Sequence, residues 1–524
     1  MREALQSKQY EGKVGLRPTL ATLLISIPFL IEAVVIVRLL VHAIFLRNET
    51  TYPEGVGIFA FLTALRTGYL YSNPFQPPWN AQQYGPVFYF LGSVLAKLAH
   101  GAPTLTTELV RALSFLAFLG SVGLVGYLAW KLERRRAWVA FEIVLGLACV
   151  CATPFCSSAR ADAISIFFVL AALVVYAVAN GKTRLIFLAG VLGALGYLTK
   201  QNVGVVLLAL TIDSVLAKRF RDTIVLIGGS AAATALILSV LWWRHEHFLA
   251  NFLVIKSASV LWSAAIPQTV RFLLGSLTSV AAAGIACVGA MERWRAARYR
   301  PIILSIVLGC ASSVAGFAIV GGDINYLILP WFLIILLAPA GLNKIEEWAQ
   351  RSVWIPVAIT ILCCAFLFHQ RGNFREISGP NLVTKKIGDI RMLSDWPYLE
   401  LRSRNPVLLD PYFYHQLSLQ GVWSGEPIVT SIGNEEYDLI LINGTLRDNE
   451  SDFIVHSFRG FSNWGAETVN AMSRNYQTLC EVPGFMALVP RARTSPVRAE
   501  DVSEIFQQSC VVTNRSLRLA AGAR

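Results

Sequence analysis

Eleven apolar runs crowd the first 369 residues, and they leave most of the chain one place to fold, inside a bilayer. They lie at 20–46, 109–130, 137–154, 163–179, 185–198, 203–216, 223–243, 269–291, 301–320, 327–342 and 352–368. A membrane-crossing helix needs roughly 20 mainly apolar residues. Only 15% of the chain is charged, against about 25% in soluble domains. With a mean hydropathy of +0.54, a disordered chain or an ordinary soluble globule is excluded. The first run is too long for the apolar part of a signal peptide and lacks a small-residue cleavage site, so it reads as a retained anchor.

The charge sets the direction of threading. Residues 1–369 hold 29 of the 45 Lys and Arg, and 19 of those 29 fall in alternate loops on one side. They include Arg2, Lys8, Lys13 and Arg17 before the first run, then Lys131 and Arg134 to Arg136, and later Arg293 to Arg300. By the positive-inside rule that side is cytoplasmic. The basic excess is therefore explained by topology and does not call for a nucleic-acid partner. The segment 86–99 is apolar but has only 14 residues. Crossing there would put every later basic cluster outside, so it reads as a juxtamembrane or re-entrant helix on the outer face.

Three regions follow. Residues 1–369 form a membrane part with two long outer loops, 47–108 and 244–268. Residues 370–491 form an outer α/β domain, with strands expected at 406–410, 437–442 and 478–489 and a helix at 467–476. Residues 492–524 read as a poorly ordered polar tail. Cys480 and Cys510 lie in the outer part, where an oxidising compartment permits a disulfide.

Polar residues gather where the spans meet the outer face. Arg111, Arg160, Asp162, Lys200, His245, His247, Asp323 and Asn325 all sit at such ends. Each has a plain reading beside a functional one. Asp162 is a helix cap or a base. Lys200 is a snorkelling side chain or an anion ligand. Asp323 and Asn325 are turn formers or sugar ligands. His245 and His247 flank Glu246, but side chains two apart diverge on a helix, which makes them weak metal candidates; a divalent metal stays open. The aromatic residues of the first outer loop, Tyr84 among them, suit an interface.

Taken in order, the motifs resemble those of the GT-C superfamily of polytopic glycosyltransferases, in particular the bacterial relatives of protein mannosyltransferases and of lipid A aminoarabinose transferase. The residues are Tyr52-Pro53-Glu54-Gly55, Tyr84-Gly85-Pro86-Val87-Phe88-Tyr89 and Glu108 to Ser114 around Arg111. Then come Arg160-Ala161-Asp162, Leu198-Thr199-Lys200-Gln201 and Gly322-Asp323-Ile324-Asn325-Tyr326. The resemblance spans the first ten apolar runs. It implies a helical membrane domain with a small extracytoplasmic α/β domain, in a bacterial inner membrane. It also implies transfer of a sugar from a polyprenyl-phosphate donor to an acceptor hydroxyl on a lipid, glycan or protein. Such a donor leaves as a phosphate, so the chemistry needs a carboxylate to take the acceptor's proton and cations for the departing phosphate. The resemblance puts Glu54 and Asp162 in the first role, Lys200, Arg160 and Arg111 in the second, and Tyr84, Asp323, Asn325 and Tyr326 against the substrate. The rival from another class is a secondary transporter or flippase. It would show repeated halves and ionisable groups at mid-membrane; no clear repeat is seen, and the polar groups collect at the outer rim instead.

The threading has a direct test. Reporter fusions after Arg136 and after Phe374 are expected on opposite sides, inside and outside, and one common side for both would refute the assignment.

Overall fold

The computed structural model describes residues 20–506 except 47–48, 52–53, 134–135, 154, 257–261, 320–323, 371–389, 402, 404–409, 447–452, 456, 459–460, 463 and 483–484. A helix matches each of the eleven apolar runs, but their lengths divide them. Among the described residues four helices are long and apolar enough to cross a bilayer: Leu20–Ile44, Pro103–Glu133, Phe220–Trp243 and Ala297–Ala318. Two bent pairs pass the same test as units, Ala265–Leu274 with Leu277–Met291 and Ile324–Ile335 with Ala338–Ala349. The remaining apolar helices are shorter, including Asp162–Val178, Thr183–Tyr197 and Gln201–Leu216.

The shortening has a local cause. Short 3-10 turns at Val150–Ala152, Phe155–Ser157, Gln201–Gly204 and Ile324–Leu327 interrupt the helical runs. Irregular backbone at membrane depth survives only where protein surrounds it or a cavity is lined by it. These breaks carry or adjoin most of the polar residues picked out above. Elsewhere the helices face outward with apolar side chains. Phe220, Ile224, Ile227, Leu236, Trp242 and Trp243 on one long helix are all exposed.

The first outer loop holds two further helices, Glu54–Thr67 and Pro86–Leu98. Pro86–Leu98 buries Phe88, Tyr89, Gly92 and Ala96 and exposes Phe90, Val94 and Leu98. One apolar face meets the protein and the other is exposed. Proline at its first turn starts it where no backbone donor is lost. The two long outer loops are stitched together. The Gln82 backbone amide donates to Asn251 Oδ1 (2.8 Å), Asn251 Nδ2 donates to the Ser72 carbonyl (2.8 Å), and the Tyr71 amide donates to Glu246 (2.7 Å).

The outer domain carries a four-stranded sheet in the order Met392–Ser394, Leu439–Ile442, Phe485–Pro490, Tyr476–Val482. The first pair is parallel and the other two antiparallel. Leu439 and Leu441 pack on one side with Val502, Ile505 and Phe506, while Ile440 and Ile442 pack on the other with Tyr414, Met472 and Trp79. A strand covered on both faces reads as an unbroken apolar run. The expected helix appears as Ala466–Asn475 and the expected strand pair as Tyr476–Val482 with Phe485–Pro490; the strand expected at 406–410 lies almost wholly outside the described residues. The stretch read as a polar tail differs from its expectation as far as Phe506. Helix Ala499–Phe506 sets Val502, Ile505 and Phe506 into the core at helical spacing. Cys480 is disulfide-bonded, the seven other described cysteines are free, and Cys510 lies outside the described residues.

One glycine fixes how the first loop meets the membrane helices. The Gly85 amide donates to the Thr199 carbonyl (3.0 Å) and the Val87 amide to the Leu198 carbonyl (3.2 Å). A β-carbon at Gly85 would fall on the Leu198 carbonyl oxygen, whereas one at Gly123 would meet nothing. Gly85→Ala is therefore expected to cost at least about 1–3 kcal/mol, the usual penalty of overpacking. Gly123→Ala in the Pro103–Glu133 helix should be neutral or stabilising by up to about 1 kcal/mol. Thermal unfolding of the two variants in one detergent checks the contrast.

Candidate active site

Two polar clusters lie where the helices meet the outer domain, joined by the turn Ala159-Arg160-Ala161-Asp162. The first is built on Glu54, the first residue of the Glu54–Thr67 helix, and Arg111, in the Pro103–Glu133 helix. Arg111 Nε donates to Glu54 Oε1 (2.8 Å) and Nη2 to Oε2 (2.6 Å), a two-pronged pair with both side chains fully buried. Nη1 donates to the carbonyls of Ala43 (3.1 Å) and Leu46 (2.5 Å). Glu54 also accepts from the Thr50 amide (2.9 Å), the Thr50 hydroxyl (3.1 Å) and the Ala159 amide (2.6 Å). Burial alone would raise the Glu54 carboxyl, but the Arg111 charge and these donors together hold it below its ordinary range.

The second cluster is centred on Asp162, which opens the Asp162–Val178 helix. Its Oδ1 accepts hydrogen bonds from Lys200 Nζ and from Asn325 Nδ2 (2.7 Å). Its Oδ2 accepts from Arg160 Nε (3.1 Å). Lys200 lies over the Tyr326 ring (5.0 Å) and Arg160 over the Phe155 ring (5.2 Å), both within cation–π range. Burial depresses the Lys200 ammonium below its ordinary value, with Asp162 opposing that shift. The Tyr84 hydroxyl is pushed well up by burial, and it feels Arg160, Asp162, Tyr326 and Asp410. It therefore looks onto the same cluster. Two cations converge on one carboxylate here, so these three side chains carry a surplus positive charge. The side chains of Arg160 and Lys200 keep 12% and 9% exposure against 2% for Asp162, so the surplus is the part nearest solvent.

The structure thus sorts the residues singled out in the sequence. Asp162, Lys200, Arg160, Asn325, Tyr326 and Tyr84 come together. Glu54 and Arg111 form the neighbouring pair. Arg111 takes a different station from the phosphate contact expected of it, because its guanidinium is closed off and engaged by Glu54 and two carbonyls. Glu54 is likewise sealed in that pair. Asp323 lies outside the described residues. His245 and His247 are exposed, and the intervening Glu246 turns inward to the Tyr71 amide and Arg244. Among the described residues no group of three or more His, Cys, Asp or Glu side chains is placed to hold a metal ion.

Some site residues had no motif to announce them. Glu49 lies five residues before Glu54, and its Oε1 accepts the Gly55 amide (2.5 Å). Asp410 of the outer domain accepts from Gln83 Nε2 (3.3 Å), beside Tyr84. The available signal was Gly55: a β-carbon there would fall on the backbone of Tyr398 in the outer domain.

Removing one partner of a sealed ion pair leaves a buried charge, at about 3–5 kcal/mol. Glu54→Gln and Arg111→Met are each expected to lower thermal stability by that order, and the double variant by clearly less than their sum. An additive double variant would show that the pair is not coupled.

No family model matches the chain, and no curated protein matches it. Solved structures do. The chain is similar to ArnT from Cupriavidus metallidurans bound to undecaprenyl phosphate, with 12% identity and a TM-score of 0.57, over 89% of this chain and 99% of that one. The apo state of the same protein gives the same TM-score and identity over 88% and 97%. The arabinofuranosyltransferase AftD from mycobacteria matches at a TM-score of 0.43 and 14% identity, over 88% of this chain and 40% of that one. An integral membrane chain with a small C-terminal α/β domain thus has the fold of ArnT, a GT-C membrane glycosyltransferase.

Proposed function

We propose that this chain is a membrane glycosyltransferase that moves a sugar from a polyprenyl-phosphate donor to an acceptor hydroxyl at the outer face of the membrane. The observation that carries the reading is the convergence of Lys200 and Arg160 on Asp162, at helix ends, within a fold also found in a protein solved with undecaprenyl phosphate bound. A prenyl chain must stay among the helices while its phosphate reaches their ends. Surplus cationic charge is what a phosphate at that boundary requires.

The chemistry follows from the charges. The acceptor oxygen attacks the anomeric carbon, and the bond from that carbon to the phosphate oxygen breaks. The electron pair leaves on the lipid phosphate, where Lys200 and Arg160 stabilise it. Asp162 takes the acceptor's proton, since its two cations turn toward the phosphate as charge develops there. Asn325 and Tyr326 hold the sugar side of the site, with Tyr84 opposite. Glu54 and Arg111 work at one remove: Glu54 accepts the Ala159 amide and so fixes the turn that ends in Asp162. The donor sugar and the acceptor, whether lipid, glycan or protein, are left to experiment, as is a divalent metal.

The two roles separate by mutation. Asp162→Asn is expected to lower transfer by about 10²–10⁴-fold, the usual worth of a positioned base, and to keep donor-lipid binding. Lys200→Ala should weaken donor binding by about 10–150-fold, the worth of a charged hydrogen bond of about 1.5–3 kcal/mol. Lipid co-purifying with each variant, weighed by mass spectrometry, and turnover of labelled polyprenyl-phosphate sugar in nanodiscs measure the two effects. Full transfer by Asp162→Asn would overturn the base assignment.

A further inference from the structure

Among the described residues, Glu49 feels two other carboxylates, Glu54 and Asp410, and one guanidinium, Arg111, where the C-terminal domain rests on the first long loop. Arg111 is engaged two-pronged by Glu54. Asp410 has donors on both oxygens, the Phe413 amide on Oδ1 (3.0 Å) and Gln83 Nε2 on Oδ2 (3.3 Å). Glu49 differs. Its Oε1 accepts the Gly55 amide, while its Oε2 is shut off from solvent and has no hydrogen-bond partner. The charged groups that act on it are Glu54 from the Glu54–Thr67 helix, Asp410 from the outer domain and Arg111 from the Pro103–Glu133 helix. Two of these are anions, and the cation is already matched. An ionised carboxylate in that position is costly, and a neutral one is not. The group is also well placed to be felt, because Gly55 gives its amide to Glu49 and lies against the Tyr398 backbone of the outer domain.

We propose that Glu49 is a positioning residue that holds a proton where the outer domain docks on the first outer loop, and that losing this proton loosens the dock and the Asp410–Gln83 clasp beside Tyr84. Only the last step, its effect on transfer, rests on the function proposed above; the docking does not. The electrostatics agree with the geometry. Burial pushes the Glu49 carboxyl up to about 8, with Glu54 and Asp410 adding to the rise and the Gly55 amide and Arg111 opposing it. A carboxyl raised in the docked state binds its proton more tightly there than when undocked. Docking is then strongest below the ordinary carboxylate range, weakens as pH rises to about 8, and levels off above it.

Hydrogen exchange on the full-length protein in nanodiscs tests this, with peptides covering Gly55 and Tyr398 followed from pH 6 to 9 and corrected for intrinsic exchange. Opening is expected to rise by up to about tenfold per pH unit to pH 8 and then to flatten. Glu49→Gln, a fixed mimic of the protonated acid, should stay protected throughout and remove the same limb from the pH profile of transfer. Wild-type protection that ignores pH, or a Glu49→Gln profile that copies the wild type, would overturn the proposal. The expected exchange pattern without transfer in any variant would overturn the function proposed above and support this inference.

Discussion

A sealed ion pair organises the outer half of this molecule. Glu54 and Arg111 are both fully buried, and a pair out of contact with water repays its desolvation only when the remaining donors and acceptors are also met. Here they are met by the end of the first membrane helix, by Thr50 and by the Ala159 amide. One interaction thus ties together the first span, the amphipathic loop helix, the second span and the turn that carries Asp162. Its contribution to net stability is modest in principle, but it specifies an arrangement.

The second cluster depends on that placement and differs from it in kind. Its three charges do not balance, and its cations are slightly open to solvent. Under the proposed function this arrangement suits an anion: Asp162 holds both cations in position while they keep the greater exposure to solvent. The broken helices around it serve the same end. The 3-10 turns at Phe155–Ser157, Gln201–Gly204 and Ile324–Leu327 bring Arg160, Lys200 and Asn325 to one carboxylate from three separate parts of the chain.

The outer domain is part of this arrangement and not an appendage. Its core includes Trp79 and Ala81 from the first outer loop, the Tyr414 hydroxyl donates to the Pro74 carbonyl (2.7 Å), and Tyr398 lies where a side chain at Gly55 would go. Among the described residues, Glu49 faces Glu54, Asp410 and Arg111 at this seam, and its buried Oε2 has no hydrogen-bond partner.

Hydrophobic run length, charge placement and motif order were legible in the chain itself. They determined the membrane class and the α/β domain with its strand pair, because bilayer thickness and backbone periodicity act on local sequence. The candidate site residues came from motif order and resemblance, which named Glu54, Arg111 and Asp323 beside Asp162, Lys200, Arg160, Asn325, Tyr326 and Tyr84 but did not sort them. Span lengths were less legible, since a 3-10 break inside an apolar run has no strong local signature. The helix at Ala499–Phe506 was missed because a polar composition masked its three core residues. Which cation each carboxylate takes was decided by tertiary structure alone. Glu54 could have met Lys200 or Arg111, and 57 residues separate it from the one it chose. Burial and donor count select among such partners, and both exist only once the helices have packed.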